Sequence, residues 1–296
     1  MKIPSVKAQA LLRGAAFFLI LWLLIFRPLA SLPDISALEA VAAGEPRVPV
    51  RDLSGNLIYE YTSPVYGEKI RLSLDEISDA MIAATLATED SRFFTNPGFS
   101  PAAMLRAAWQ NMVLKKTFSG ASTITQQVVR NILLSPDERY AQSFSRKLRE
   151  ILLAAAVTLR YDKETILSIY LNEMYYGALS TGVGKAAEVY FGKGADELSL
   201  AEAAFIAGMP QAPNYYSQNT EAGQRRTREV LRLMERDVNE GGCIPVRQGR
   251  NPRSFCPTVE EIRQAGGTAG TPPDGDTRRV KGVISRRQRL FAAGEK

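Results

Sequence analysis

The sequence predicts a mainly helical protein with a small β-hairpin element and an N-terminal transmembrane helix. Three observations carry this. Apolar residues recur at helical spacing through most of residues 70–242. Only Val48–Asp52 and Leu57–Tyr61 read as strands, with a turn containing SGN between them. Gly14–Phe26, GAAFFLILWLLIF, is an uninterrupted apolar run between Arg13 and Arg27.

That run is shorter than the roughly 20 residues a helix needs to span a bilayer. It extends back through Ala8–Leu12 or forward through Pro28–Leu32 if one arginine snorkels to the interface. Lys2, Lys7 and Arg13 precede it and hold the N-terminus in the cytoplasm, so the rest of the chain is expected on the periplasmic, extracytoplasmic side. A cleaved signal peptide is the competing reading; no clean small-x-small site follows the run directly, although Leu29–Ser31 remains open. Residues 1–33 thus read as cytoplasmic tail and anchor, and residues 34–69 as a linker with the short β element.

From Leu74 the period becomes helical. Ile77, Met81, Ile82 and Leu86 share one face, with Ser73 and Glu76 as a capping box. Pro101–Leu114, Gln126–Leu134, Arg146–Leu159, Lys163–Met174, Leu198–Met209 and Arg225–Val238 read as further helices; Ser119–Thr125 and Ser135–Ser145 read as polar connections. Residues 249–285 are rich in Gly, Pro, Thr and Arg, so residues 243–296 read as a flexible tail.

The chain has 296 residues, 45% of them hydrophobic, and no histidine. The missing histidine excludes Ser–His triads and removes the commonest general base and metal ligand, leaving acid–base chemistry to Glu, Asp, Lys or Tyr. Cys243 and Cys256 are too few for a four-ligand cysteine site; they are either a disulfide in an oxidising compartment or two thiols. Residues from Ile244 onward carry 11 Lys or Arg and 5 Asp or Glu, while the preceding chain holds 26 of each. The basic excess is a tail property that suits anionic lipid head groups or plain solvation. No nucleic-acid partner is expected.

Three segments can carry chemistry. In ATEDSRFF, Ala87–Phe94, Glu89 and Asp90 stand beside Arg92, Phe93 and Phe94. Glu89 is either a helix-end acid paired with Arg92 or a carboxylate whose pKa the aromatic neighbours raise into a useful range. In RKLRE, Glu150 follows Arg146 by four residues and Lys147 by three, which puts both cations on its face. This is either a surface ion-pair cluster or a cationic patch for a diphosphate. In GASTITQQVVRN, Ser122, Thr123, Gln126, Gln127 and Arg130 suit a sugar or phosphate ligand, or else form a capped polar loop.

ATEDSRFF with Gly98, GASTITQQ, RKLRE, ILSIYLNEMYYG, AAEVYFGK and LSLAEAAFIAGMPQAPNYY occur in that order. Together they resemble the five ordered motifs of the peptidoglycan glycosyltransferases, family 51, over Leu53–Gly241. These form the polymerising domain of class A penicillin-binding proteins and also occur as monofunctional transglycosylases. The resemblance implies a lysozyme-like, bilobal helical domain over residues 70–242 whose smaller jaw dips into the membrane. It implies that the 4-hydroxyl of an acceptor GlcNAc attacks C1 of a donor MurNAc with inversion, releasing undecaprenyl diphosphate from lipid II.

By motif position Glu89 is the implied base and Glu150 the second carboxylate, orienting the donor site. Asp90, Arg92 and Phe93 support Glu89. Ser122, Thr123, Gln126 and Gln127 shape the sugar and phosphate pocket, and Arg130, Arg139, Arg146 and Lys147 supply cations. The segment around Arg139 is longer than the family pattern. Asn96 stands where the family often has histidine, two residues before Gly98.

No SxxK motif with partner motifs follows, so a monofunctional enzyme is expected. No cofactor is required, although a divalent cation is compatible with a diphosphate; no metal-ligand set is named. Implied partners are lipid II, the growing glycan chain, the membrane and other cell-wall synthesis proteins. Two other readings stand: a lytic transglycosylase or glycan hydrolase, disfavoured by the GASTITQQ loop and Arg130, and a non-catalytic scaffold, disfavoured by the retention of both glutamates.

Overall fold

The computed structural model describes residues 70–104, 106, 109, 122–141, 143–248 and 252–268, with 38, 41, 48–51 and 57–61. The expected anchor, most of the linker and the tail beyond Thr268 lie outside the described residues. Among the described residues no helix is long and apolar enough to cross a membrane.

The expected hairpin forms. β1 (Val48–Arg51) pairs antiparallel with β2 (Leu57–Tyr61), Val48 opposite Tyr61. The Ser73–Glu76 capping box also forms, the Glu76 carboxylate accepting from Ser73 N at 2.8 Å, but it closes only the 3-10 turn Leu74–Glu76. Ile77 then turns extended, at φ −121° and ψ 132°. α1 (Asp79–Glu89) starts afresh, with the Ser78 hydroxyl accepting from Met81 N. Ile77 is buried although it is not helical, so its burial alone mimics the helical period. Every residue of α1 from Ala80 to Ala87 is buried. A helix apolar on all sides belongs in a core, and its polar end is where it can meet a ligand.

Residues 101–104, with 106 and 109, are helical. Then follow α2 (Ile124–Ile132), α3 (Pro136–Tyr140), α4 (Phe144–Arg160), α5 (Lys163–Glu173), α6 (Val183–Phe191), α7 (Leu200–Gly208), α8 (Pro213–Gln218) and α9 (Thr220–Gly241). α3 interrupts a stretch read as a polar connection. Ser135 caps it by accepting from Glu138 N, and Pro136 fits the first helical turn. α7 packs against both α1 and α9, while α2 packs against α4 and α5. The result is mainly helical, as expected.

The reading of residues 243–296 as a flexible tail needs correction up to Thr268. β3 (Ile244–Arg247) and β4 (Arg253–Phe255) form an antiparallel hairpin, and α10 (Val259–Thr268) packs on α9. Cys243 and Cys256 are joined by a disulfide, which resolves the two open readings of that pair. Ile244, Val246 and Ile262 bury in the core. Three apolar residues spread over 19 positions are too sparse for composition to register. The hairpin also reaches back to the start of α1: Arg247 Nη1 lies 2.9 Å from Asp75 Oδ1, and Arg253 Nη2 lies 3.0 Å from Asp79 Oδ1. These pairs are partly exposed and contribute little each. The disulfide closes a loop with a sequence separation of 13. Replacing both cysteines with serine is expected to lower stability by about 3 kcal/mol, read by urea unfolding.

Candidate functional site

α1 delivers Glu89 as its last residue, where the buried helix reaches the wall of a cavity of about 480 Å³. Ser91, Arg92, Arg106, Ser122 and Arg236 line the same cavity. Glu89 is half-buried, and Gln127 Nε2 donates to its Oε2 at 2.5 Å. Burial pushes the Glu89 carboxyl above its ordinary range. The Gln127 hydrogen bond and the charges of Arg226 and Arg130 pull back against this, and Asp90 adds to it. The helix-end ion pair with Arg92 does not form: Arg92 is exposed and lines the cavity.

Asp90 is 9% exposed and serves as a bracket. Both its oxygens accept from Asn96 Nδ2, at 2.9 and 2.8 Å, and Oδ2 accepts from Ile124 N at 3.3 Å. Asn96 Oδ1 accepts from Gly98 N at 2.9 Å, and Gly98 O accepts from Thr123 Oγ1 at 2.6 Å. The segment after Glu89 is thereby fastened to the N-terminus of α2, three residues before Gln127. Gly98 is required here. Its φ is +94°, and a Cβ would fall 2.4 Å from Ala154 O. Phe93 is 1% exposed and packs edge-on to Phe94, walling the turn.

Thr123 and Gln126 form the capping box of α2: Thr123 Oγ1 accepts from Gln126 N at 3.2 Å, and Gln126 Oε1 accepts from Thr123 N at 3.0 Å. Both are buried, so their polar atoms shape the loop. Among the described residues Gln126 Nε2 is buried without a partner.

The second carboxylate, Glu150, is fully buried in α4. Arg146 Nη1 donates to its Oε2 at 2.7 Å and Lys147 Nζ donates to its Oε1. Lys147 Nζ also donates to Ser122 Oγ at 3.1 Å. Burial depresses the Lys147 pKa, Glu150 supports it, and Arg130 and Arg146 depress it further. Glu150 is absent from the cavity wall; Ser122 and Lys147 connect it to the Glu89 side. Arg130 acts electrostatically on both Glu89 and Lys147, and among the described residues no carboxylate pairs with it. Arg139 is committed differently, Nη2 donating to Asn131 O at 2.5 Å in the last turn of α2.

The structure therefore gathers Glu89, Asp90, Arg92, Ser122, Thr123 and Gln127 at one cleft, with Arg146, Lys147 and Glu150 behind it. Several neighbours escaped the sequence reading. Arg226, on α9, lowers the Glu89 pKa and passes so close to Gly208 that a Cβ there would meet its Cγ at 2.8 Å. Tyr170 and Tyr176 bury their hydroxyls without partners among the described residues, and both feel the Glu89 charge. Lys163, the first residue of α5, reaches the Asn96 turn. Its one sequence signal is electrostatic: a cation at a helix N-terminus opposes the dipole. Among the described residues no group of three His, Cys, Asp or Glu is placed to hold a metal ion.

A family model described as transglycosylase matches residues 54–235. Penicillin-binding protein 1A of Escherichia coli (strain K12) is 42% identical over 188 residues, covering 63% of this chain and 21% of that protein. Penicillin-binding protein 1A of Vibrio cholerae is 39% identical over 209 residues, covering 69% and 24%. The same-named protein of Aquifex aeolicus is 38% identical over 186 residues, covering 60% and 25%. The chain thus spans about a quarter or less of the length of these relatives. The crystal structure of penicillin-binding protein 1A from Haemophilus influenzae superposes with a TM-score of 0.38 at 22% identity, covering 75% of this chain and 20% of that one. Because the matched region takes in more than half of the chain and contains Glu89, the chain belongs to the transglycosylase family, glycosyltransferase family 51.

Proposed function

We propose that this chain is a peptidoglycan glycosyltransferase that polymerises lipid II. The observation that carries the reading is Glu89, a carboxyl with a raised pKa on the wall of a cavity of about 480 Å³ in a chain of this family. The acceptor GlcNAc 4-hydroxyl attacks C1 of the donor MurNAc. The new C1–O bond forms as the C1–O bond to diphosphate breaks with inversion, and the hydroxyl proton passes to Glu89. Undecaprenyl diphosphate leaves with the bond's electron pair. A diphosphate needs cations more than a strong acid. Arg130, Lys147 and Arg146 are the residues assigned to it, with Glu150 holding the last two in place. Arg92 and Ser122 line the cleft toward the sugar units. Thr123 and Gln126 act through the capping box, and Arg139 through the end of α2. The lysozyme-like bilobal architecture, the anchor at Gly14–Phe26, periplasmic placement and contact with other cell-wall enzymes belong to the same proposal. The step as written uses no cofactor.

Purified protein is expected to convert lipid II into glycan strands resolved on a gel. Lysis of finished peptidoglycan without polymerisation would replace this reading with the hydrolase. A finer test concerns Gln127, whose hydrogen bond lowers the Glu89 pKa. Gln127→Ala removes that bond, so the acid limb of the polymerisation pH profile is expected to move to higher pH.

A further inference from the structure

We propose that Lys163 is a positioning residue for Glu89, acting through Asn96. This rests on the glycosyltransferase reading above and extends it to a residue that touches neither sugar nor diphosphate. Lys163 Nζ donates to Asn96 O at 2.8 Å and to Asn96 Oδ1 at 3.2 Å, and it stands 4.7 Å from the centroid of the Phe93 ring. Every polar function of the Asn96 side chain is then engaged: the amide nitrogen on both Asp90 oxygens, the amide oxygen on Gly98 N and Lys163. Asp90 is bonded next to Glu89 and also holds Ile124 N at the head of α2. Gly98 holds Thr123, the cap of that helix. Gln127, on the first turn after this cap, donates to Glu89. The Lys163 cation therefore secures the turn from which both supports of the base, covalent and hydrogen-bonded, take their geometry. It secures it from outside: Lys163 and Glu89 lie on different helices, 74 positions apart in sequence.

The cation matters because a neutral amine keeps the hydrogen bonds weaker and loses the ring contact. Burial brings the Lys163 pKa down to about 8, with Asp90 opposing the shift. The charged group facing it is Asp90. On its own side, Asp162 accepts from Thr165 N and Oγ1, Arg160 lies 6.0 Å from the Tyr161 ring centroid, and Arg92 of the facing turn is exposed. A depressed amine pKa means that the clamp is charged below about pH 8 and released above it. The asparagine fits this device. Its amide does not titrate, so the whole proton dependence of the turn falls on the lysine and the aspartate.

The test uses the full chain in detergent with lipid II. Wild-type kcat is expected to fall as pH rises through about 8. Lys163→Arg should move this alkaline limb upward by about two units or more, because arginine stays protonated. Lys163→Met should lower kcat roughly tenfold with KM within about twofold, the signature of a misplaced base. An alkaline limb unmoved in Lys163→Arg would overturn the proposal while leaving the glycosyltransferase reading intact. A second readout needs no turnover. The Asn96 side-chain amide resonances, assigned with Asn96→Asp, are expected to shift with the Lys163 proton in the wild type and to stay still over that range in Lys163→Arg. Static Asn96 signals would overturn the proposal by themselves. A wild type without polymerisation but with moving Asn96 signals would sink the functional reading and leave the Lys163–Asn96 coupling standing.

Discussion

Glu89→Gln is expected to reduce lipid II polymerisation by 10²- to 10⁴-fold, the usual contribution of a positioned general base. The amide has the shape of the carboxyl, and its oxygen still accepts from Gln127, so the cleft should keep its form. Stability should move the other way. Burial raises the Glu89 pKa in the folded protein, so the folded state binds more protons than the unfolded state between the ordinary carboxyl pKa and the raised one. Stability contributed by this group therefore falls as pH rises through that window, and above the ordinary carboxyl range its burial is a net cost. Glu89→Gln removes the cost, and its Tm at pH 7 is expected to equal or exceed that of the wild type. A variant that loses polymerisation and also unfolds early would say that Glu89 is structural. The opposed signs make the pair of measurements decisive. The wild-type acid limb should likewise lie above the range of an exposed glutamate.

The second large effect is on the fold. Glu150→Ala removes a fully buried carboxylate and leaves Arg146 and Lys147 facing each other. Breaking a buried pair from one side costs about 3–5 kcal/mol. The cations keep side-chain exposures of 19% and 31%, so water screens part of the loss. The expected cost is therefore at the low end, about 3 kcal/mol, or a fall in Tm on the order of 10 °C. Donor binding should weaken with it, since Lys147 loses the charge that supports its proton. Raised salt should restore part of the stability by screening the stranded cations. Thermal unfolding at two salt concentrations reads this, and no salt effect would mean the two cations separate once the glutamate is gone.

Much of the site was legible because its parts are local. Glu150 with Arg146 and Lys147 is a one-turn pattern, and helical geometry brings such groups together wherever the helix lies; the α2 capping box, Thr123 with Gln126, escapes the sequence reading, which starts the helix at Gln126 whereas it begins at Ile124. Function within those patterns was less legible. Gln126 and Gln127 are neighbours of the same type, yet one closes a cap and the other reaches Glu89, because helical rotation sends adjacent side chains in different directions. Lys163 and Arg226 lie 74 and 137 positions from Glu89, and only packing brings Arg226 to Glu89 and Lys163 to the Asn96 turn. Misplacing the first helix start had a similar origin. Ile77 is buried for tertiary reasons, and a periodicity argument cannot separate that from helical burial.

The Cys243–Cys256 bridge has a consequence for where this chain can become itself. A disulfide persists in the periplasm and is held reduced in the cytosol. The hairpin that braces Asp75 and Asp79 is therefore complete only in a compartment that oxidises thiols. The bond therefore reports its compartment: the two sulfurs resist alkylating reagents where it has formed and accept them where it has not. Thiol labelling of whole cells, with and without prior reduction, would test the proposed periplasmic placement from a site remote from the cleft.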